Sequence, residues 1–83
     1  MKITKVDVRK YDNETNMKAL VSMTIDDCFI VKGIRVIEGN DGLFVAMPSR
    51  KVGDTYRDIA HPLNSETRNM VNEAILKAYE EAE

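Results

Sequence analysis

Apolar and polar residues alternate along the N-terminal part of the chain, as they do in half-buried β-strands. The alternation is clearest over residues 17–26, where one face is apolar and the other is polar. The apolar face comprises Ala19, Val21, Met23 and Ile25. Residues 2–11 repeat the pattern through Val6 and Val8, but Ile3 is out of phase, which predicts a bulge or a late start of pairing.

Turn-forming residues separate the predicted strands. Polar residues at 12–16 predict a hairpin loop, and Asp26-Asp27 turns the chain into residues 29–37. That segment is apolar on both faces, so it is predicted to be a central strand. Gly33 lies in its interior, where a bulge or a close backbone approach is the usual reason for a glycine.

A second group of short elements follows the central strand. Two glycines within residues 38–42 predict a tight turn. Residues 43–47 form a short apolar strand that Pro48 ends, because proline cannot donate to a strand ladder. Residues 49–55 are expected to be an exposed loop, and residues 56–61 a short edge strand.

The last segment has the period of a helix. Asn64 or Ser65 can cap its first amide groups, and Glu66 suits the positive end of the helix dipole. The apolar stripe comprises Met70, Val71, Ala74, Ile75, Ala78 and Tyr79. The prediction is one α+β domain over residues 1–83, with a mainly antiparallel sheet of four or five strands and one C-terminal amphipathic helix.

Length and composition indicate whether the chain self-associates and in which compartment it is expected. A chain of 83 residues buries only a thin core, and one cysteine cannot form an internal disulfide, so pairing of two copies through their sheets is expected. The single thiol fits the cytoplasm, and no run is long and apolar enough for a membrane span.

Catalysis and cofactor binding are not expected. Cys28 and His61 are the candidate nucleophile and base, but no motif joins them, and covalent catalysis needs both within hydrogen-bond reach. One His and one Cys are too few for a zinc site, and Asp26-Asp27 lacks calcium-loop spacing. We therefore predict no enzyme activity, no metal and no cofactor.

One group of residues has a functional interpretation. Arg50 and Lys51 follow Ser49 in the predicted loop, Arg57 lies on the next strand and Arg68 is near the helix start. If the four cations converge, they can contact phosphates, with hydroxyl groups adding neutral hydrogen bonds.

Some neighbouring residues support this interpretation and others weaken it. Tyr56 or His61 can stack on an unpaired base, whereas Asp54 and Asp58 neutralise part of the patch. A pair of adjacent basic residues is more often simply a solvated surface, and this alternative stays open from the residues alone.

The sequence IRVIEGNDGLFVAMPSRK, followed by YRDIAHPLNSETR, resembles the signature of the stage V sporulation protein G (SpoVG) family of bacteria. The resemblance extends to ITKVDVRK and MKALVSMTIDDCFIV, and so covers nearly the whole chain. It implies a homodimeric cytoplasmic regulator of septation, sporulation and gene expression that binds DNA or RNA. The family's basic residues after Pro-Ser correspond to Arg50 and Lys51, in the order Arg-Lys where the family commonly has Lys-Arg.

An alternative function is a protein-interaction module that acts on cell-division proteins without binding nucleic acid. Its motivation is the acidic C-terminal segment, since residues 62–83 hold five acidic and two basic side chains. Residues 1–61 are close to balanced, with ten basic and nine acidic side chains. A polyanionic partner would therefore have to meet a local basic patch in the first part of the chain.

Overall fold

The computed structural model describes residues 1–11 and 16–82. The loop predicted at 12–16 falls mostly on residues 12–15, which lie outside the described residues. The elements are β1 (Ile3–Lys10), β2 (Met17–Ile25), β3 (Phe29–Gly39), β4 (Gly42–Ala46), β5 (Ser49–Val52), β6 (Thr55–Asp58) and α1 (Ser65–Glu81). The predicted α+β class is confirmed.

The first four strands form one antiparallel sheet in the order β1-β2-β3-β4. The β1–β2 register shifts between Ile3 and Lys5, as the out-of-phase Ile3 predicted. The β2–β3 register shifts where β3 passes Gly33, whose φ of 85° is in the region that favours glycine. The predicted bulge at Gly33 is therefore confirmed.

One face of this sheet carries the core, and α1 packs on it against β1, β2 and β4. On the predicted apolar face of β2, Ala19, Val21 and Met23 are buried and Ile25 is half-buried. Val71 and Ile75 are the buried residues of α1. Within the described residues, the buried side chains that form the core cluster are Ala19, Val21, Met23, Ile34, Val36, Val71 and Ile75. This core is thin, in line with the short chain.

Both ends of α1 are fixed by polar contacts. The Asn64 side-chain oxygen accepts a hydrogen bond from the Thr67 amide at 2.8 Å, which confirms the predicted cap. At the other end, Lys10 Nζ donates to the Ala82 carbonyl at 2.8 Å and lies 4.6 Å from the centroid of the Tyr79 ring. Edge strand β1 thus holds the last turn of the helix.

The expectation of a loop over residues 49–55 is wrong. Residues Ser49–Val52 pair antiparallel with Thr55–Asp58 and form a second, two-stranded sheet. The chain reverses at Gly53-Asp54, and Gly53 has a φ of 63°, as a type II′ hairpin turn requires at its first central residue. The predicted strand over 56–61 exists but ends at Asp58, and it pairs only with β5.

The two edges of the four-stranded sheet differ in charge. Exposed residues of β1 include Lys5, Asp7 and Arg9, and charge of this kind discourages pairing with another strand. Strand β4 carries no charged residue, and it exposes Leu43 and Phe44. The β4 edge is therefore the one open to a further strand.

Candidate nucleic-acid interface

The second sheet forms an arm, which we define as residues 49–58. Its strands are four residues each and are joined by the two-residue turn Gly53-Asp54. Every residue from 50 to 59 is exposed. Both faces of the arm are therefore open to solvent, which is unusual because an isolated two-stranded ribbon is only marginally stable.

The root of the arm is anchored to the main sheet. Beyond the last paired residues, the Ile59 amide donates to the Pro48 carbonyl at 2.7 Å. Arg35 Nη2 donates to the Met47 carbonyl at 3.4 Å and to Ser49 Oγ at 3.3 Å. Ser49, a predicted site residue, is half-buried and so lies at the root, with its hydroxyl already accepting from Arg35.

The strand register decides which predicted site residues share a face. Arg50 is directly opposite Arg57, whereas Lys51 is directly opposite Tyr56. Because neighbouring residues of a strand point to opposite faces, Arg50 and Lys51 cannot form one patch on the arm. The expectation that these two cations act side by side is thus replaced by a cross-strand arginine pair.

We name the two faces by their cations. The arginine face comprises Arg50, Val52, Thr55 and Arg57. The lysine face comprises Ser49, Lys51, Tyr56 and Asp58. The arginine face carries two positive charges and no acid, whereas the lysine face carries one of each.

The arginines lack acidic partners in the described part of the chain. Across residues 1–11 and 16–82, the ion pairs within 4.0 Å are Lys5–Asp7 and Lys18–Glu38, both outside the arm. Like charges placed directly opposite each other destabilise a strand pair. The arm therefore keeps an arrangement that costs stability unless an anion lies beside the two guanidinium groups.

The other candidate residues lie on separate elements. Arg68 is in the first turns of α1, where its amide donates to the Asn64 carbonyl. His61 follows the arm, and its Nδ1 lies 2.9 Å from the Pro62 carbonyl oxygen. Of the four cations considered from the sequence, the structure brings Arg50 and Arg57 together on one face.

In the described residues, no metal site is assembled, and Cys28, the candidate nucleophile, lies at a turn. Cys28 is exposed at the turn between β2 and β3, where its amide donates to the Ile25 carbonyl. No group of three or more His, Cys, Asp or Glu residues is placed to hold a metal ion among residues 1–11 and 16–82. In that same part of the chain, α1 is not long and apolar enough to cross a membrane.

Comparison with known proteins identifies the family. The SpoVG family model matches residues 1–81. The chain belongs to the SpoVG family. The resemblance seen in residues 34–51 and 56–68 is thereby confirmed, and the arm lies within the matched part of the chain.

Close relatives in the SpoVG family cover almost all of the chain. The "Putative septation protein SpoVG" of Clostridioides difficile (strain 630) is 58% identical over 83 residues, which are 99% of this chain and 90% of the relative. The protein of the same name in Caldicellulosiruptor bescii is 54% identical over 81 residues, 96% of this chain and 92% of its own. That of Staphylococcus saprophyticus is 55% identical over 84 residues, covering 100% of this chain and 83% of the relative.

Proposed function

We propose that this chain is a homodimeric regulator of septation that binds DNA or RNA through the arm. The observation that supports binding is the exposed cross-strand pair Arg50–Arg57, which lacks an acidic partner in the described residues. The negative potential of a nucleic acid offsets the charge of such a pair, and arginine forms two parallel hydrogen bonds with a phosphate group or with the edge of guanine.

The proposed process follows from the family. The SpoVG relatives bear the name of a septation protein, and the resemblance implies control of sporulation and gene expression as well. We place the protein in the cytoplasm, where the exposed Cys28 thiol stays reduced. Catalysis has no part in this proposal.

The proposed dimer joins two copies at their β4 edges. This strand presents unpaired backbone groups and no charge, and Leu43 and Phe44 are 39% and 48% exposed. An identical strand related by a two-fold axis can pair with it in a self-complementary contact. Such pairing extends both sheets and adds buried apolar area to a thin core.

Sedimentation equilibrium tests the dimer. A charge at the edge, introduced by Phe44→Lys, is expected to shift the protein from dimer to monomer because it must be desolvated in the contact. The matched control is Phe29→Lys, a change of equal size at an exposed residue of β3. A Phe44→Lys protein that remains dimeric would contradict the β4 contact.

Binding to DNA and RNA of matched sequence tests the arm. The double substitution Arg50→Ala with Lys51→Ala is expected to weaken binding and to reduce its salt dependence. Each lost phosphate contact lowers the steepness of the plot of log K against log salt concentration by about 0.9. Lys5→Ala with Arg9→Ala is the matched control, because it removes the same two charges from exposed positions on β1. Equal affinity and slope in wild type and the arm variant would reject the arm as the binding site.

A second candidate is a protein-interaction module in septum formation that does not bind nucleic acid. The exposed acidic residues of α1 favour it: Glu66, Glu73, Glu80 and Glu81. Recovery of a cell-division protein from nuclease-treated extract, in equal yield with wild type and the Arg50→Ala, Lys51→Ala variant, would support this candidate over the first.

A further inference from the structure

We propose that the arginine face of the arm enters the major groove of B-form DNA, with Arg50 and Arg57 directed at base edges. In this arrangement Lys51 and Tyr56, on the lysine face, make no contact with the bases. The inference rests on the proposed function, because the arm must bind nucleic acid before its two faces can differ in their contacts.

The dimensions of the arm fit this groove. Two strands of four residues form a ribbon about 13 Å long, with the strands about 4.8 Å apart. The B-DNA major groove is about 12 Å wide and about 8.5 Å deep, and it admits a two-stranded β-ribbon. Because residues 50–59 are all exposed, the ribbon can enter the groove without first leaving a buried position.

Charge selects the arginine face as the one that meets the bases. It carries Arg50 and Arg57 with no carboxylate, whereas the lysine face carries both Lys51 and the carboxylate of Asp58, which is opposite Ser49. The negative potential of DNA therefore attracts the arginine face more strongly. The acid of the turn, Asp54, is exposed and lies outside the paired residues of the arm.

The chemistry of the arginine face matches base edges in the major groove. Arginine makes two parallel hydrogen bonds to O6 and N7 of guanine, which is the commonest specific contact with DNA. Cross-strand partners have their Cβ atoms about 4.5–5.5 Å apart, so Arg50 and Arg57 can reach neighbouring base pairs. Val52 and Thr55 extend the same face with apolar groups of the kind that contact the thymine methyl group.

Other forms of nucleic acid fit the arm less well. The major groove of double-stranded RNA is deep and narrow, so side chains cannot read bases there. Proteins that bind single strands stack successive bases on aromatic side chains. The arm offers one aromatic residue, Tyr56, and it lies on the face opposite the arginine pair.

Anisotropy titrations with three probes of one guanine-containing sequence test this inference: a DNA duplex, an RNA duplex and a DNA single strand. Wild type is expected to bind the DNA duplex most tightly. Arg57→Ala should weaken that binding by roughly 5–150-fold, the effect of losing one bidentate base contact. Lys51→Ala removes one positive charge from the opposite face of the arm, so it should weaken this binding by a smaller factor than Arg57→Ala does and leave the guanine preference unchanged.

A conservative variant separates base contacts from phosphate contacts. Arg57→Lys keeps the positive charge but loses the planar guanidinium group that makes two parallel hydrogen bonds. The dependence of the affinity on salt concentration should therefore stay as in wild type. Its preference for the guanine-containing duplex over a duplex of A·T pairs alone should fall.

Two results would overturn the inference while leaving nucleic-acid binding by the arm intact. One is tighter binding of the single strand or the RNA duplex, lost in Lys51→Ala or Tyr56→Ala but kept in Arg57→Ala. The other is an unchanged guanine preference in Arg57→Lys. Failure of the proposed function has a different signature, because then the Arg50→Ala, Lys51→Ala variant binds all three probes as wild type does.

Discussion

Gly33→Ala tests how the bulge in the central strand shapes the molecule. Gly33 has a φ of 85°, and alanine in a left-handed conformation costs about 1–2 kcal/mol. A Cβ at this position would lie 3.4 Å from Pro48 Cβ, an ordinary van der Waals contact, so no clash adds to that cost. Alanine also restricts the unfolded chain, which offsets about 0.4–1 kcal/mol. We expect a net loss of about 1 kcal/mol.

Thermal unfolding followed by far-UV circular dichroism measures this loss. For a domain of this size, 1 kcal/mol lowers Tm by about 4–8 °C. Protein concentration must be equal for all variants, because dimerisation would make Tm depend on it. Gly53→Ala is the comparison: its φ of 63° is also positive, but the strain falls on the exposed arm, which can open locally. A smaller shift in Tm is expected there.

One result would refute this reasoning. Alanine normally stabilises a strand relative to glycine, because the unfolded chain loses freedom. If Gly33→Ala raised Tm or left it unchanged, the backbone at Gly33 could not have the positive φ that the bulge requires.

Three further predictions concern the core, the helix cap and a turn. Ile75→Ala should lower the free energy of unfolding by about 2–5 kcal/mol and Ile75→Val by about 0.5–1.5 kcal/mol, because this side chain is fully buried; urea titrations check both values. Asn64→Ala removes the cap of α1 and should cost about 0.5–2 kcal/mol in the same assay, whereas Asn64→Ser should cost little. Asp27→Gly should raise Tm, because Asp27 has a φ of 56° and glycine relieves about 0.5 kcal/mol of net backbone strain. The backbone amide of residue 27 can still donate its hydrogen bond to Thr4 Oγ1.

The main sheet and the helix were predictable because local signals agree with the tertiary structure. The period of two in β2 marks the face that α1 covers, and a capping residue at Asn64 precedes the helical stripe. Even the irregularities at Ile3 and Gly33 had local causes, one a break in phase and the other a glycine inside a strand.

In the arm, the second strand is predicted from the sequence but the first is not, because the residues of the arm carry no apolar alternation. Both of its faces are exposed, so burial imposes no pattern on them. The usable signal was the Gly53-Asp54 pair between Val52 and Thr55, which is a two-residue hairpin turn. Once the turn is recognised, the pairing of Arg50 with Arg57 follows from the count of residues on each side.

The anchor at the root of the arm had no local signal at all. Arg35 contacts Met47 and Ser49, which are 12 and 14 residues away along the chain. Such a contact depends on how β3, β4 and β5 are placed in space. The sequence alone therefore predicts a ligand-binding hydroxyl at Ser49, whereas in the structure that hydroxyl accepts a hydrogen bond from Arg35.

The most direct test of binding through the arm is a titration of the 15N-labelled protein with a DNA duplex, followed by amide chemical shifts. We expect the largest changes in residues 50–58, with smaller ones at the root near Arg35 and little change in α1. The largest changes in α1 or β1, with the arm amides unmoved at saturation, would contradict it.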